Sequence, residues 1–160
     1  MATELIGREK VLAKLKAMPA AARTAIKGAL KANSDQIVAM QKRLVPVDSG
    51  DLRDSIRAEW GDVKLASSAN LASGGGGALT IKGDPDLTVT IVAGDEKAFY
   101  ARFVEFGTSP HDQGGWAEGT KHPGTTPRPF FYGPWRAMRK KSKSSVSRAI
   151  NKAAKQVAAQ

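Results

Sequence analysis

An α+β fold is predicted, with a long N-terminal helix and a C-terminal helix packed on a small, mainly antiparallel sheet of three to four strands. A short central helix and two long loops complete it. Three observations lead there. Apolar residues recur at helical spacing over residues 20–44, and again from about 129 to 158. The middle of the chain instead alternates at period two and is cut by Gly, Pro and Asp turns. The 160 residues suffice for one domain with its own core and are too few for two comfortable ones. A single domain is therefore expected over 1–160, with N-terminal helices at 1–46, sheet and central helix at 47–107, a loop at 108–128 and a basic helix at 129–160.

Thr3 to Met18 carries Leu5, Val11, Leu12 and Leu15, part of an apolar stripe, and reads as a short helix ended by Pro19. A second helix runs from Ala20 to Leu44. Its Ile26, Leu30, Ile37, Met40 and Leu44 fall at steps of four, seven, three and four, which keeps them on one face for core packing. Pro46 closes it, because the residue before a proline is pushed out of the helical region. Val47 to Ile56 is then a turn and a short helix, with Asp48 or Ser49 able to cap its free N–H groups. A strand is expected around Ile56 to Leu65, interrupted near Gly61-Asp62.

Ala66 to Gly77, rich in Ser and Gly, reads as a mobile loop. No Gly-Lys-Ser/Thr follows its four glycines, so a phosphate-binding loop is not expected. Ala78–Lys82 and Leu87–Ala93 flank Gly83-Asp84-Pro85-Asp86, a strong turn, and are expected to pair as a hairpin. Asp95 can cap a short helix bearing Phe99, Tyr100, Phe103, Val104 and Phe106, and Gly107 stands where a helix-ending glycine belongs. Thr108 to Pro127 is a Gly/Pro/Thr loop, longer than the roughly 12–15 residues usual for a stretch without structure of its own. Arg128-Pro129-Phe130-Phe131 leads into the final helix, to about Ala158. Trp135, Met138, Ser142, Val146, Ile150, Ala153 and Val157 form its inward stripe, with Phe130, Phe131, Tyr132 and Trp135 expected to anchor its root.

Charge is concentrated at one end. From Gly119 onward there are ten basic residues, Lys121, Arg128, Arg136, Arg139, Lys140, Lys141, Lys143, Arg148, Lys152 and Lys155, and no Asp or Glu. The formal net charge of +10 is thus the charge of one segment. A one-sign field concerns partners rather than fold, here a polyanion or an acidic surface on another subunit. Aromatics beside the cations suit nucleic acid, but no base-reading signature is present, so any DNA contact would be sequence-blind.

Other chemistry finds little support. Without cysteine there is no disulfide, thiolate metal site or thiol nucleophile. No apolar run approaches the ~20 residues of a membrane-spanning helix, so no membrane partner is expected. The opening MATELIGREK lacks the pattern of a secretory signal, and export is not expected. His111, Asp112, Glu118 and His122 share one loop, but a spacing of eleven between the histidines matches no usual zinc pattern. Ser109 stands near His111 with nothing to orient the imidazole. No enzyme, metal or cofactor is expected.

Three segments in order carry a resemblance: V-D-S-G-D-L-R-D-S-I (Val47–Ile56), F-Y-A-R-F-V-E-F-G-T (Phe99–Thr108) and T-P-R-P-F-F-Y-G-P-W (Thr126–Trp135). Together they resemble the tail-component or tail-completion proteins of the head–tail neck of tailed double-stranded DNA bacteriophages. The residues that carry the likeness are Ser49, Gly50, Leu52, Arg53 and Ser55; Tyr100, Val104, Glu105, Phe106, Gly107 and Thr108; and Arg128, Pro129 and Phe130. The resemblance implies a structural virion protein, assembled in the host cytoplasm, that forms a ring, expected to be a hexamer. Its neighbours would be head-closure and tail-terminator rings or the tail tube, with packaged DNA passing through the channel. The ten cations would then line that channel or a subunit interface. A sequence-independent DNA-binding accessory protein is the alternative. Glu105, inside an aromatic helix face, is expected to seek a cation, with Arg53 and Arg128 as candidates.

Overall fold

Prolines bracket the first long helix. The computed structural model describes residues 20–65, 79–112 and 119–158. Within it α1 (Ala20–Leu44) starts directly after Pro19 and stops two residues short of Pro46. The expected helix at Thr3–Met18 and the Ser/Gly loop at 66–77 lie outside the described residues. After α1 come α2 (Asp51–Ser55), β1 (Arg57–Trp60), β2 (Val63–Leu65), β3 (Leu79–Ile81) and β4 (Val89–Val92). Then follow α3 (Ala101–Phe106), β5 (His111–Asp112), β6 (Lys121–His122) and α4 (Tyr132–Ala158). The class is α+β, with two long helices and small antiparallel pairs of strands.

The strands form a ribbon rather than the expected hairpin. β1 pairs with β4, Arg57 opposite Val92 and Trp60 opposite Val89. β2 pairs with β3, Val63 opposite Ile81 and Leu65 opposite Leu79. β1 and β2 are therefore consecutive parts of one strand broken at Gly61-Asp62, and β3 and β4 lie end to end along it. The turn between them closes on itself. Asp84 Oδ1 accepts from the Asp86 and Leu87 amides at 2.9 and 3.1 Å, and Asp62 Oδ1 takes the Gly83 amide at 2.8 Å. A tight turn joins its own flanking strands only when it is short; this one is looped out, so both flanks pair with the strand beside them.

Buried Asp84 also receives Arg23 Nη2 at 3.1 Å, and Lys27 Nζ meets Asp86 at 2.7 Å, tying the ribbon to the start of α1. The buried face of α1 is Ala22, Ile26, Asn33, Ser34, Ile37 and Gln41. Leu44, expected inside, is 58% exposed, while Gln41 is fully buried. A polar side chain takes the inner row because its Nε2 donates to the Phe131 carbonyl at 3.0 Å, at the root of α4. Farther along, Lys141 reaches Gln36, so α4 runs back antiparallel to α1. The core cluster of Val45, Leu52, Ile56, Ala98, Ala101 and Phe130 sits where α1, α2, α3 and the α4 root converge.

The stretch from Thr108 to Pro127 is not structureless. Thr108 and Thr125 form a bridge, and β5 pairs with β6 beyond it. Residues 113–118 lie outside the described set.

Candidate functional site

A helix begins with N–H groups that have no partner inside it. At the start of α4 the first of those groups, the Tyr132 amide, and the two amides before it meet Glu105, on the last turn of α3. Its Oε2 accepts from the Phe130 and Phe131 amides at 2.7 and 2.8 Å, and its Oε1 accepts from the Tyr132 amide at 3.1 Å. The carboxylate is 6% exposed. Three backbone donors and the positive end of a 27-residue helix therefore stabilise a buried negative charge. The expected cation partner is absent from the contact. Arg53 pairs with its neighbour Asp54 at 3.2 Å, and Arg128, exposed, contributes only its backbone amide, to the Val104 carbonyl at 2.8 Å. The amides win because the chain delivers them already aimed and desolvated; a guanidinium would have to give up water to reach the same oxygen.

The other motif residues frame this latch. Gly107 ends α3 with φ +70°, and a β-carbon there would run into the Thr125 carbonyl oxygen and the Pro127 ring. Only glycine permits that approach. Thr108 and Thr125 exchange backbone hydrogen bonds at 3.1 Å, fixing the chain that carries Pro129 and Phe130 back to Glu105. Phe130, 1% exposed, is the apolar anchor. Val104 and Tyr100 pack half-buried against the same core, whereas Phe106 is exposed beside Tyr132.

The first motif is a joint of its own. Gly50, at φ +96°, holds the N-cap position of α2, and the Ser49 hydroxyl, as expected, takes a free N–H, that of Asp51, the first helical residue, at 3.3 Å. Leu52 is buried in the core. Buried Ser55 donates to the Leu52 carbonyl at 2.8 Å and accepts the Gly94 amide at 3.0 Å, joining α2 to the chain between β4 and α3.

From this root the cations project. Arg136, Arg139, Lys140, Lys141, Lys143, Arg148, Lys152 and Lys155 are all exposed on α4, and Lys121 and Arg128 are exposed before it. Among the described residues none of the ten meets a carboxylate; the ion pairs lie on α1, α2 and β1. Lys141 Nζ donates to Gln36 at 3.0 Å. Arg136 lies over the Tyr132 ring at 6.0 Å and Arg139 over the Trp135 ring at 5.4 Å. The aromatics expected to anchor the root thus divide. Phe130 and half-buried Phe131 turn inward, while Tyr132 and Trp135 are over 40% exposed. Pro134, Met138 and Ala153 are the buried positions of α4, with Ser142, Val146 and Ile150 half-buried. The side chain of Val157 lies outside the described residues.

The loop histidines do come together, as cross-strand neighbours with rings stacked 5.1 Å apart. His122 Nδ1 accepts the Gly124 amide at 3.0 Å, which places the proton of the neutral ring on Nε2 and leaves no free lone pair for a metal. Among the described residues no group of three or more metal-binding side chains converges. Two buried polar residues depart from expectation: Gln41, outside the apolar spacing, and Asp84, a turn carboxylate expected to be exposed. Each had a signal: Gln41 lies four residues beyond Ile37 on the buried row, and Asp84 leads a turn with free amides two and three residues on.

Residues 9–107, more than half of the chain, match the family described as "Bacteriophage HK97-gp10, putative tail-component". The chain belongs to this family. It is a phage tail-component protein, a virion class whose role is structural. Comparison with curated proteins and with solved structures gives no match. The HK97-gp10-like stretch spans α1 to α3 and ends at Gly107. Glu105 is inside it, whereas the amides that Glu105 caps, and the cationic helix they begin, lie beyond.

Proposed function

We propose that this tail-component protein belongs to the head–tail neck, where copies assemble into a ring of six that completes the tail and lets double-stranded DNA through its channel. Head-closure and tail-terminator rings or the tail tube would be its neighbours. The observation that carries the reading is α4: eight exposed cations, no acid, and no carboxylate partner among the described residues, on a helix whose root is fixed to the body. Cyclic symmetry would repeat that field around one axis, where it can face phosphates without reading bases or dock on acidic rings above and below. Phe99, Phe103 and Phe106 supply an exposed apolar face of the kind that subunit contacts use. Assembly would take place in the host cytoplasm and the product would stay in the virion.

The same helix favours a second reading, a monomeric accessory protein that grips DNA directly. Native mass spectrometry of the full chain, with a salt titration of duplex binding, separates them. The neck reading expects a closed ring, alone or on a partner ring, and negligible duplex affinity of the monomer. A persistent monomer whose duplex affinity falls steeply with salt would replace it with the accessory reading.

A further inference from the structure

Buried polar side chains almost always find a partner. Among the described residues three buried side-chain atoms have none within the protein: Asn33 Nδ2, Gln41 Oε1 and Ser142 Oγ. They are not scattered. All three residues line one cleft of about 240 Å³ between α1, β4 and α4. Its remaining walls are mostly apolar, Leu30, Ile37, Val89, Ile91 and Val146 among them, and the one other polar side chain, Ser34, donates to the Lys31 carbonyl at 2.9 Å. Asn33 is 7% exposed and Gln41 fully buried, so bulk solvent does not serve these atoms.

The three do not bond to one another in the structure. Asn33 and Gln41 are eight residues apart on one helix, about 12 Å at 1.5 Å per residue. Gln41 has its amide nitrogen committed to the Phe131 carbonyl, which fixes the orientation of its free oxygen. The set that remains is one N–H donor, one carbonyl acceptor and one hydroxyl that can do either. No charge is present, so an ion has nothing to neutralise it. A guest must be small, uncharged, and both donor and acceptor.

We propose that this cleft is a hydration site, in which a small cluster of ordered water molecules links Asn33, Gln41 and Ser142 and completes the contact between α1 and α4. A water molecule takes about 30 Å³ in the liquid and makes 2–4 hydrogen bonds, so the cleft has room and polar partners for more than one. The two long helices are then joined in two ways: directly, by Gln41 Nε2 on the Phe131 carbonyl, and through water along the cleft.

The test is a high-resolution crystal structure of the full chain, with and without xenon pressure. Water is expected within hydrogen-bonding reach of at least two of the three atoms, and xenon is expected to stay out. Ser142→Ala, which keeps the helix, should remove the water bound to that hydroxyl; Asn33→Leu should remove the water bound to its amide and leave that at Gln41. A xenon peak in the wild-type cleft would mean an apolar void and overturn the proposal. So would a cleft without water density, or one whose three atoms bond to protein groups, for example Ser142 to the carbonyl of Met138 one turn back.

Discussion

The two long helices lie side by side and carry their charge in opposite ways. On α1, Arg23 and Lys27 meet Asp84 and Asp86, and Lys31 meets Asp35 at 2.7 Å. On α4 eight cations meet no carboxylate among the described residues, and the acid nearest its start, Glu105, is taken by backbone amides. The counts, five lysines and arginines on α1 and eight on α4, do not say which way the charge faces. Partners make the difference: Arg23 and Lys27 of α1 hold the protein's own ribbon in place, and the cations of α4 face outward. Capping by Glu105 secures the helix without drawing any of its side-chain charge inward.

The contrast can be broken most severely at the latch. Glu105→Ala leaves three amides without their acceptor and should cost about 3 kcal/mol, from the usual worth of charge-assisted hydrogen bonds and helix caps. At this chain length that is a fall in Tm of roughly 10 °C in a thermal melt. Glu105→Gln keeps one acceptor oxygen and should lose about half as much. An unchanged melt for Glu105→Ala would show that the cap is dispensable.

Gly107→Ala comes next. The β-carbon meets the Thr125 carbonyl in a backbone conformation that suits glycine, and about 2 kcal/mol of stability should go in urea unfolding. Ser55→Ala strands the half-buried Gly94 amide and should cost about 1 kcal/mol. Both changes lie in the body, so α4 should keep its helicity in each.

Charge reversal sharpens the comparison from the other side. Lys140→Glu, Lys143→Glu and Arg148→Glu together should move stability by no more than about 0.5 kcal/mol per site, since none breaks an internal ion pair. The same triple variant should lose assembly or polyanion binding, read by native mass spectrometry and a salt titration. The smallest effect belongs to α1. Lys27, by hydrogen bond and charge, holds the Asp86 carboxyl below its ordinary value of 3.8. That contribution is present above the unfolded value and is lost as pH falls through the folded one. Asp86→Asn should therefore melt slightly below wild type at neutral pH, and the gap should close in acid.

Much of this framework was legible in the residues. Pro19 and Pro46 fix α1, Gly61-Asp62 breaks the strand, and Gly107 ends α3, because each acts locally on backbone conformation. Long-range pairing was harder to read. The stretch Gly83–Asp86 looks like a hairpin turn by itself, and only the ribbon beside it decides where its flanks pair. The same limit applies to Glu105: a carboxylate in an aromatic segment signals a buried partner, but whether that is guanidinium or amide depends on where residues 130–132 return. Trp135 and Leu44 fit an apolar period and still lie outside, since Arg139 covers one and Gln41 takes the inner row beside the other.

Hydrogen exchange at the amides of Phe130, Phe131 and Tyr132 tests the latch most directly. They should be protected like the core amides around Ile56 in the wild-type chain, and lose that protection in Glu105→Ala while the β1–β4 pairing keeps its own. Fast exchange of all three in the wild type, at the rate of an open loop, would contradict a fixed root and with it the outward-facing cationic helix.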